Sequence, residues 1–153
     1  MQRTLTQTST ECYRIEMLEL EVVSKEWNDH EVEACVQSMI YAWNVLEVPE
    51  KTRVIVKFLR GHSVYTGLTE QERVKSYMIR LYYNTEGIDA MMKTAMHEMV
   101  HVAQFRSGKL RYEPAMVWYD GTVDSDDLAY LDSPWEKEAY AMEEVLFKQL
   151  KSS

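Results

Sequence analysis

The chain has 153 residues, of which 46% are hydrophobic, and its 17 Lys and Arg against 25 Asp and Glu give a net charge of −8. This composition is typical of one globular domain that buries a core without disulfide support, and the acidic balance argues against binding to nucleic acid. No apolar run approaches the roughly 18–20 residues that cross a membrane. The polar segment Met1–Glu11 also lacks the apolar stretch of a secretory signal. We therefore expect neither a nucleic acid nor a membrane as a partner.

The sequence contains two cysteines, Cys12 and Cys35. A secreted domain framed by disulfides carries more, so we expect two free thiols in a reducing compartment, the cytoplasm. The sequence has no CxxC motif and no cysteine–histidine cluster, which excludes a zinc finger or zinc ribbon.

The beginning of the chain predicts a tail followed by a strand. Residues 1–10 are polar and are expected to be disordered, which leaves 11–153 as a single domain. From Tyr13 to Val23 apolar and polar residues alternate, but the alternation changes phase once. A change of phase of this kind predicts one strand with a β-bulge.

A helix and a second strand come next. Apolar residues spaced three and four apart over 30–46 predict a helix, which Asn28 or Asp29 caps and Pro49 ends. Residues 53–60 are rich in β-branched and aromatic side chains, which predicts a strand.

The second half of the chain predicts a buried helix among shorter elements. A loop is expected over 61–72 and a strand over 76–83. Residues 89–105 contain no Gly or Pro and are apolar on almost every side, which predicts a buried helix. A short strand within 112–120 and a last helix over 135–150 complete the pattern. Elements in this order predict an α+β domain, with a small antiparallel or mixed sheet packed on the buried helix.

The buried helix contains an HExxH motif, in which His97 and Glu98 are followed by His101. Histidines four residues apart lie on the same helical face, so both imidazoles can bind one zinc ion. Glu98 lies beside them, where a general base for a metal-activated water is needed. The alternative is a pair of histidines whose hydrogen bonds are satisfied within the core.

A catalytic zinc needs a third protein ligand, and the sequence offers two candidates. Position 104 is Gln and position 107 is Ser, which excludes the third histidine of an extended HExxHxxGxxH motif. The last helix opens at Ser133 and carries Glu136 and Glu138. Both glutamates flank its apolar face, so periodicity does not choose between them. Each also has a structural interpretation, Glu136 in a capping box with Ser133 and Glu138 as a solvated carboxylate.

An HExxH motif followed by a separate glutamate-bearing helix resembles the gluzincin zinc metallopeptidases. The size is similar to that of the minimal one-domain members and phage-encoded relatives, and the matching stretch covers about 77–146. In that family the glutamate ligand commonly precedes a small residue by three positions, as Glu136 precedes Ala139. The resemblance therefore implies Glu136 as the third ligand, with Glu138 in reserve. The sequence differs from the family pattern at Tyr140, where many relatives have an Asp that orients a histidine.

The resemblance implies a zinc-dependent metallopeptidase that cleaves protein or peptide substrates. His97, His101 and Glu136 would bind the zinc ion, and Glu98 would be the general base. The strand 78–83 would be the sheet edge that pairs with an extended substrate. A phage-encoded protein of this kind would act in the host cytoplasm.

Two questions stay open at the level of sequence. The donor that stabilises the oxyanion stays unassigned, since nothing in the spacing selects among the residues that are chemically able to fill this role, Tyr112, Tyr119, Tyr130, Tyr140 and His62. A zinc-stabilised binding module without proteolytic activity also explains the motif, as does a helical interaction domain in which HExxH is accidental.

Overall fold

The computed structural model describes residues 2–5, 10–15, 17–48, 51–61, 64–112, 115–125 and 128–153. Over these ranges the strands are β1 (Gln2–Leu5), β2 (Thr10–Ile15), β3 (Leu18–Ser24), β4 (Thr52–Leu59), β5 (Gly67–Arg73), β6 (Ser76–Tyr82), β7 (Leu110–Tyr112) and β8 (Met116–Trp118). The helices are α1 (Asp29–Leu46), α2 (Ile88–Arg106) and α3 (Pro134–Ser152), and a 3-10 turn covers Tyr130–Asp132. The predicted α+β class is confirmed. None of the described helices combines the length and the apolar character that a bilayer crossing requires.

The main sheet is mixed, with the strand order β1-β2-β3-β4-β6-β5. β3 and β4 are parallel and are connected by α1, and β6 extends the parallel set. β5 pairs antiparallel with β6 and forms one edge of the sheet.

α1 begins at a complete capping box. Asn28 Oδ1 accepts a hydrogen bond from the Glu31 amide at 2.8 Å, and Glu31 Oε1 accepts one from the Asn28 amide at 3.1 Å. The apolar stripe of the helix is buried, as its spacing predicts. The helix ends at Leu46, ahead of Pro49, which lies outside the described residues.

The main core lies between one face of the sheet and the helices. Alternate residues of β3 and β4 face it, and Leu20, Val22, Val54 and Val56 are at most 2% exposed. α2 packs against α1, α3, β5 and β6. The helix that carries HExxH is therefore covered on several sides, which explains its apolar composition.

The start of the chain differs from the predictions. The prediction of one bulged strand over 13–23 is wrong, because the change of phase marks a tight turn at Met17, where φ is 64°. The segment therefore forms the hairpin β2–β3. The structure also differs from the predicted disordered tail over 1–10, because Gln2–Leu5 forms a strand that pairs with β2. This pairing uses backbone hydrogen bonds, which need no apolar pattern in the sequence.

The edge strand next to α2 also differs from the predictions. β5 occupies much of the segment 61–72 that was expected to be a loop. Its residues after Thr69 are exposed, so they show no apolar alternation. The strand 78–83, which the resemblance implied to be the edge, corresponds to β6 and lies inside the sheet between β4 and β5. β5 is the edge strand on this side.

The β7–β8 ribbon supports a second, smaller hydrophobic cluster. Leu110, Trp118 and Trp135 are each at most 5% exposed and pack together. Phe105 and Met116 pack against them and stay partly exposed. The cluster joins the end of α2 to the beginning of α3 and so helps to position the start of α3.

Cys12 and Cys35 are free thiols, and Cys35 is the more deeply buried of the two. Burial, together with the charge of Glu31, raises the pKa of the Cys35 thiol to about 12. Because only the thiolate reacts with Ellman's reagent, we expect the native protein to show one reactive thiol, Cys12, and the denatured protein to show two. Thiol counts before and after denaturation, with Cys12→Ser to assign the signal, measure this. Failure of both cysteines to react in denaturant would indicate a disulfide and contradict the structure.

Candidate metal centre

His97 and His101 lie one turn apart on α2 and share one face of the helix. Both are buried, with 4% and 6% of their surfaces exposed. Their Nε2 atoms are 3.2 Å apart. The two histidines therefore share one helical face, as their spacing predicts, and their imidazoles meet at one point.

Glu136 reaches the same point from the first turn of α3. Its Oε1 lies 2.9 Å from His97 Nε2 and 3.2 Å from His101 Nε2. The capping-box alternative for Glu136 is wrong, because the Ser133 side chain makes no cap hydrogen bond and donates to the Tyr130 carbonyl instead. The carboxylate of Glu136 faces α2.

These three atoms form a triangle of the size that zinc requires. Ligand atoms about 2.0–2.1 Å from a tetrahedral zinc ion lie about 3.3 Å from one another. The sides of the observed triangle are 2.9, 3.2 and 3.2 Å. Two imidazoles and a carboxylate are also a known ligand set of catalytic zinc, which keeps a fourth position open. The residues present fit a zinc ion.

The outer nitrogen of each imidazole has its own acceptor. His97 Nδ1 donates to Glu143 Oε1 at 3.0 Å, and His101 Nδ1 donates to Gln104 Oε1 at 2.8 Å. These bonds place a proton on Nδ1 and turn Nε2 toward Glu136, where its lone pair would bind a metal ion that displaces the Nε2 proton. Glu143 thus supplies the orienting carboxylate that is missing at Tyr140.

Glu138 lies on the far side of Gln104 from the histidines. Its Oε1 accepts a hydrogen bond from Gln104 Nε2 at 3.2 Å, and its Oε2 accepts one from Lys109 Nζ at 2.6 Å. Gln104 Nε2 also donates to the Trp135 carbonyl at 3.0 Å. Glu138 therefore holds the side chain that orients His101, and Glu136 is the glutamate in contact with both histidines.

Glu98 faces β5 and is held there by Thr69. Thr69 Oγ1 donates to Glu98 Oε1 at 2.6 Å, and both side chains are buried. Ligand atoms of His97, Glu98 and His101 lie within 4.8 Å of one another, so Glu98 borders the imidazole pair. Gly67 allows β5 to pass this close, since a Cβ there would lie 2.8 Å from Thr94 Cγ2 and 3.0 Å from Glu98 Oε2.

The charged groups of the site perturb one another because they are buried. Burial lowers the pKa of His97, but hydrogen bonds to Glu136 and Glu143 outweigh burial and raise it to about 9. The pKa of His101 is raised for the same reason, chiefly by Glu136. Burial raises the pKa of Glu136, but its hydrogen bonds to His101 and His97 outweigh burial and lower it to about 2. Burial raises the pKa of Glu98. Carboxylates on several sides of the imidazoles favour a positive charge at the centre.

Tyr130 and Tyr140 are the candidate oxyanion donors that the structure places at the site. The Tyr130 hydroxyl is the one that contacts Glu136, donating to its Oε1 at 2.9 Å, whereas Tyr140 packs its ring against His97, with ring centroids 4.5 Å apart. The remaining candidates are Tyr112 and Tyr119, which are 63% and 66% exposed, and His62, which lies outside the described residues.

No role at the site was predicted from the sequence for Gly67, Thr69 or Glu143. Glu143 follows Glu136 by seven residues, two helical turns on the same face, and this spacing was a usable signal. Gly67 and Thr69 lie in a polar segment, and their roles depend on β5 passing over α2, which no local pattern reveals.

The chain matches no protein-family model, and searches of curated proteins and of solved structures find no significant match. The gluzincin resemblance therefore stays a prediction. The proposed metal site rests on the contacts among His97, His101 and Glu136.

Replacing each glutamate of α3 separately distinguishes the two candidate ligands. We expect Glu136→Gln to lower zinc affinity by more than the about 10–100-fold that loss of an outer hydrogen-bond partner causes. Glu138→Gln removes a charge that contacts Gln104 rather than the metal, so its loss of affinity stays within that range. Competition with a chromophoric chelator measures both constants. Zinc lost from the Glu138 variant and retained by the Glu136 variant would contradict this assignment.

The close approach of β5 to α2 predicts that Gly67→Ala is destabilising. Its new methyl group meets Thr94 Cγ2 and Glu98, so we expect a loss of about 1–3 kcal/mol in the free energy of unfolding. Thr94→Ser removes that methyl and keeps the hydroxyl that donates to the Ala90 carbonyl. In the double variant, Thr94→Ser should therefore recover part of the loss. Denaturant unfolding of both variants tests this, and an unchanged stability of Gly67→Ala would refute the close approach.

Proposed function

We propose that the protein is a zinc-dependent metallopeptidase that hydrolyses peptide bonds. The observation that supports this most is the convergence of His97 Nε2, His101 Nε2 and Glu136 Oε1 within 2.9–3.2 Å of one another, beside the buried carboxylate of Glu98. Zinc held by these residues would increase the acidity of water and polarise a carbonyl oxygen. The fourth zinc position that this ligand set leaves open is the position that catalysis needs.

Glu98 is the general base of the proposed reaction. Its carboxylate removes a proton from the attacking water and delivers it to the amide nitrogen as the C–N bond breaks, which returns Glu98 to its starting state. The hydrogen bond from Thr69 at 2.6 Å fixes one carboxylate oxygen. A positioned base of this kind is effective because it needs no reorientation between the two transfers.

Tyr130 is the proposed donor to the developing oxyanion. Its hydroxyl lies 2.9 Å from Glu136 Oε1, so it is within reach of an oxygen that binds next to Glu136. The 3-10 turn that carries Tyr130 leads directly into α3. This connection fixes the Tyr130 hydroxyl relative to Glu136.

The free edge of β5 supports an extended peptide as the substrate. The Tyr82 amide donates to the Thr66 carbonyl, so the backbone of Thr66 faces β6. Because this orientation alternates along an antiparallel strand, Gly67 and Thr69 present their amides and carbonyls at the outer edge. An extended segment of substrate can pair with these groups directly above Glu98. We therefore expect cleavage within unfolded or flexible chains.

Replacing the base without removing a ligand tests the proposed mechanism. Glu98→Gln keeps the shape of the side chain but cannot accept a proton, so we expect zinc to stay bound and proteolysis to fall by about 10²–10⁴-fold. Zinc content and the cleavage rate of an unfolded protein measure the two effects.

Glu86→Gln makes the same chemical change at an exposed position just before α2 and should leave both properties unchanged. Full proteolysis by the Glu98 variant would remove Glu98 from the mechanism. A wild-type protein that binds zinc and cleaves no substrate would indicate a zinc-stabilised binding module instead.

A further inference from the structure

Two concavities flank Glu98, and their linings differ. The first is bordered by polar groups that include Thr66, Thr94 and Glu143. The second lies toward the end of α2, beside His101 and Glu136. Its apolar wall is formed by Phe105, Leu110, Met116 and Trp135. We call this second concavity the ribbon pocket, because the β7–β8 ribbon contributes Leu110 and Met116 to it.

The wall of the ribbon pocket is anchored in the second hydrophobic cluster. Leu110 and Trp135 are 2% and 5% exposed and pack with Trp118. Phe105 and Met116 pack against the cluster, stay partly exposed and line the pocket. Apolar surface that is held in a concavity and left uncovered next to polar groups is typical of a ligand site.

The net charge around the ribbon pocket is negative even with a zinc ion bound. Asp124, Glu98 and Glu136 border it together with His101, no Lys or Arg is among the described residues that line it, and three carboxylates would exceed the charge of one zinc ion. An acidic side chain would be repelled there. A large apolar side chain would gain free energy by covering the exposed parts of Phe105 and Met116.

The direction of β5 indicates which part of a substrate reaches the ribbon pocket. Leu68 and Thr69 border this pocket, whereas Val64 and Thr66 border the other concavity. Antiparallel pairing is the more stable arrangement for an added strand. A substrate that runs opposite to β5 has its amino-terminal part beside Leu68 and Thr69, and hence beside the ribbon pocket.

We propose that the ribbon pocket binds a large apolar side chain of the substrate residue that precedes the scissile bond. The proposal rests on the proposed function, since it assigns a substrate preference to the same site. It also gives the β7–β8 ribbon a role in selecting the substrate.

Peptides that differ only at the residue before the scissile bond test the proposal. We expect kcat/KM to be at least about tenfold higher for Leu than for Ala at that position, and lower still for Asp. Met116→Lys places a positive charge at the pocket and should reduce the preference for Leu and increase cleavage after Asp. Met17→Lys is the matched control at an exposed turn and should change neither rate.

Binding provides a second measurement that does not depend on catalysis. The probes are N-acetyl-Ala-Ala-Leu-amide and its Asp analogue, added to zinc-loaded Glu98→Gln protein. We expect the leucine peptide, and not the aspartate peptide, to shift the indole N–H resonance of Trp135. The resonances of Trp27 and Trp43, which belong to the main core, serve as internal references.

The outcomes separate the pocket from the proposed function. Equal cleavage after Leu and Asp, or an apolar preference on the other side of the scissile bond, would overturn the pocket assignment and leave the peptidase standing. If no peptide is cleaved, the proposed function fails and the Trp135 resonance decides the pocket. A shift specific to leucine supports the pocket, and the absence of a shift overturns it.

Discussion

Two imidazoles and a carboxylate meet inside this protein, and keeping these polar groups away from water is the constraint that shapes the structure around them. Such burial is unfavourable unless each polar atom finds a partner. Glu143 and Gln104 accept hydrogen bonds from the outer nitrogens of the histidines, and Thr69 donates to Glu98. These partners come from α2, α3 and β5. The three elements therefore cannot move apart without leaving buried groups unpaired, which preorganises the site.

The fold separates the larger core from the site. The inner strands and α1 bury most of the apolar side chains, whereas the site lies where α2, α3 and the edge strand β5 meet. A position at a sheet edge combines a buried ligand set with an open strand that an extended chain can join. The small cluster around Trp118 and Trp135 positions the first turn of α3. It also forms one wall of the ribbon pocket.

Features with a short-range signal could be predicted from the sequence, and features set by packing could not. The cap at Asn28 and the shared helical face of His97 and His101 follow from local spacing alone. The choice between Glu136 and Glu138 depends on how α3 is rotated against α2, which Trp135 in the second cluster helps to set. β5 escaped prediction because an exposed edge strand needs only backbone pairing, so its polar side chains carry no alternating pattern.

X-ray absorption at the zinc edge, on protein loaded with one equivalent of zinc, reports which atoms bind the ion. We expect two imidazole nitrogens and one carboxylate oxygen, with a further oxygen from solvent, all at about 2.0–2.2 Å from the zinc ion. A shell that contains sulfur, or fewer than two imidazoles, would contradict this expectation. So would a protein that takes up no zinc at all.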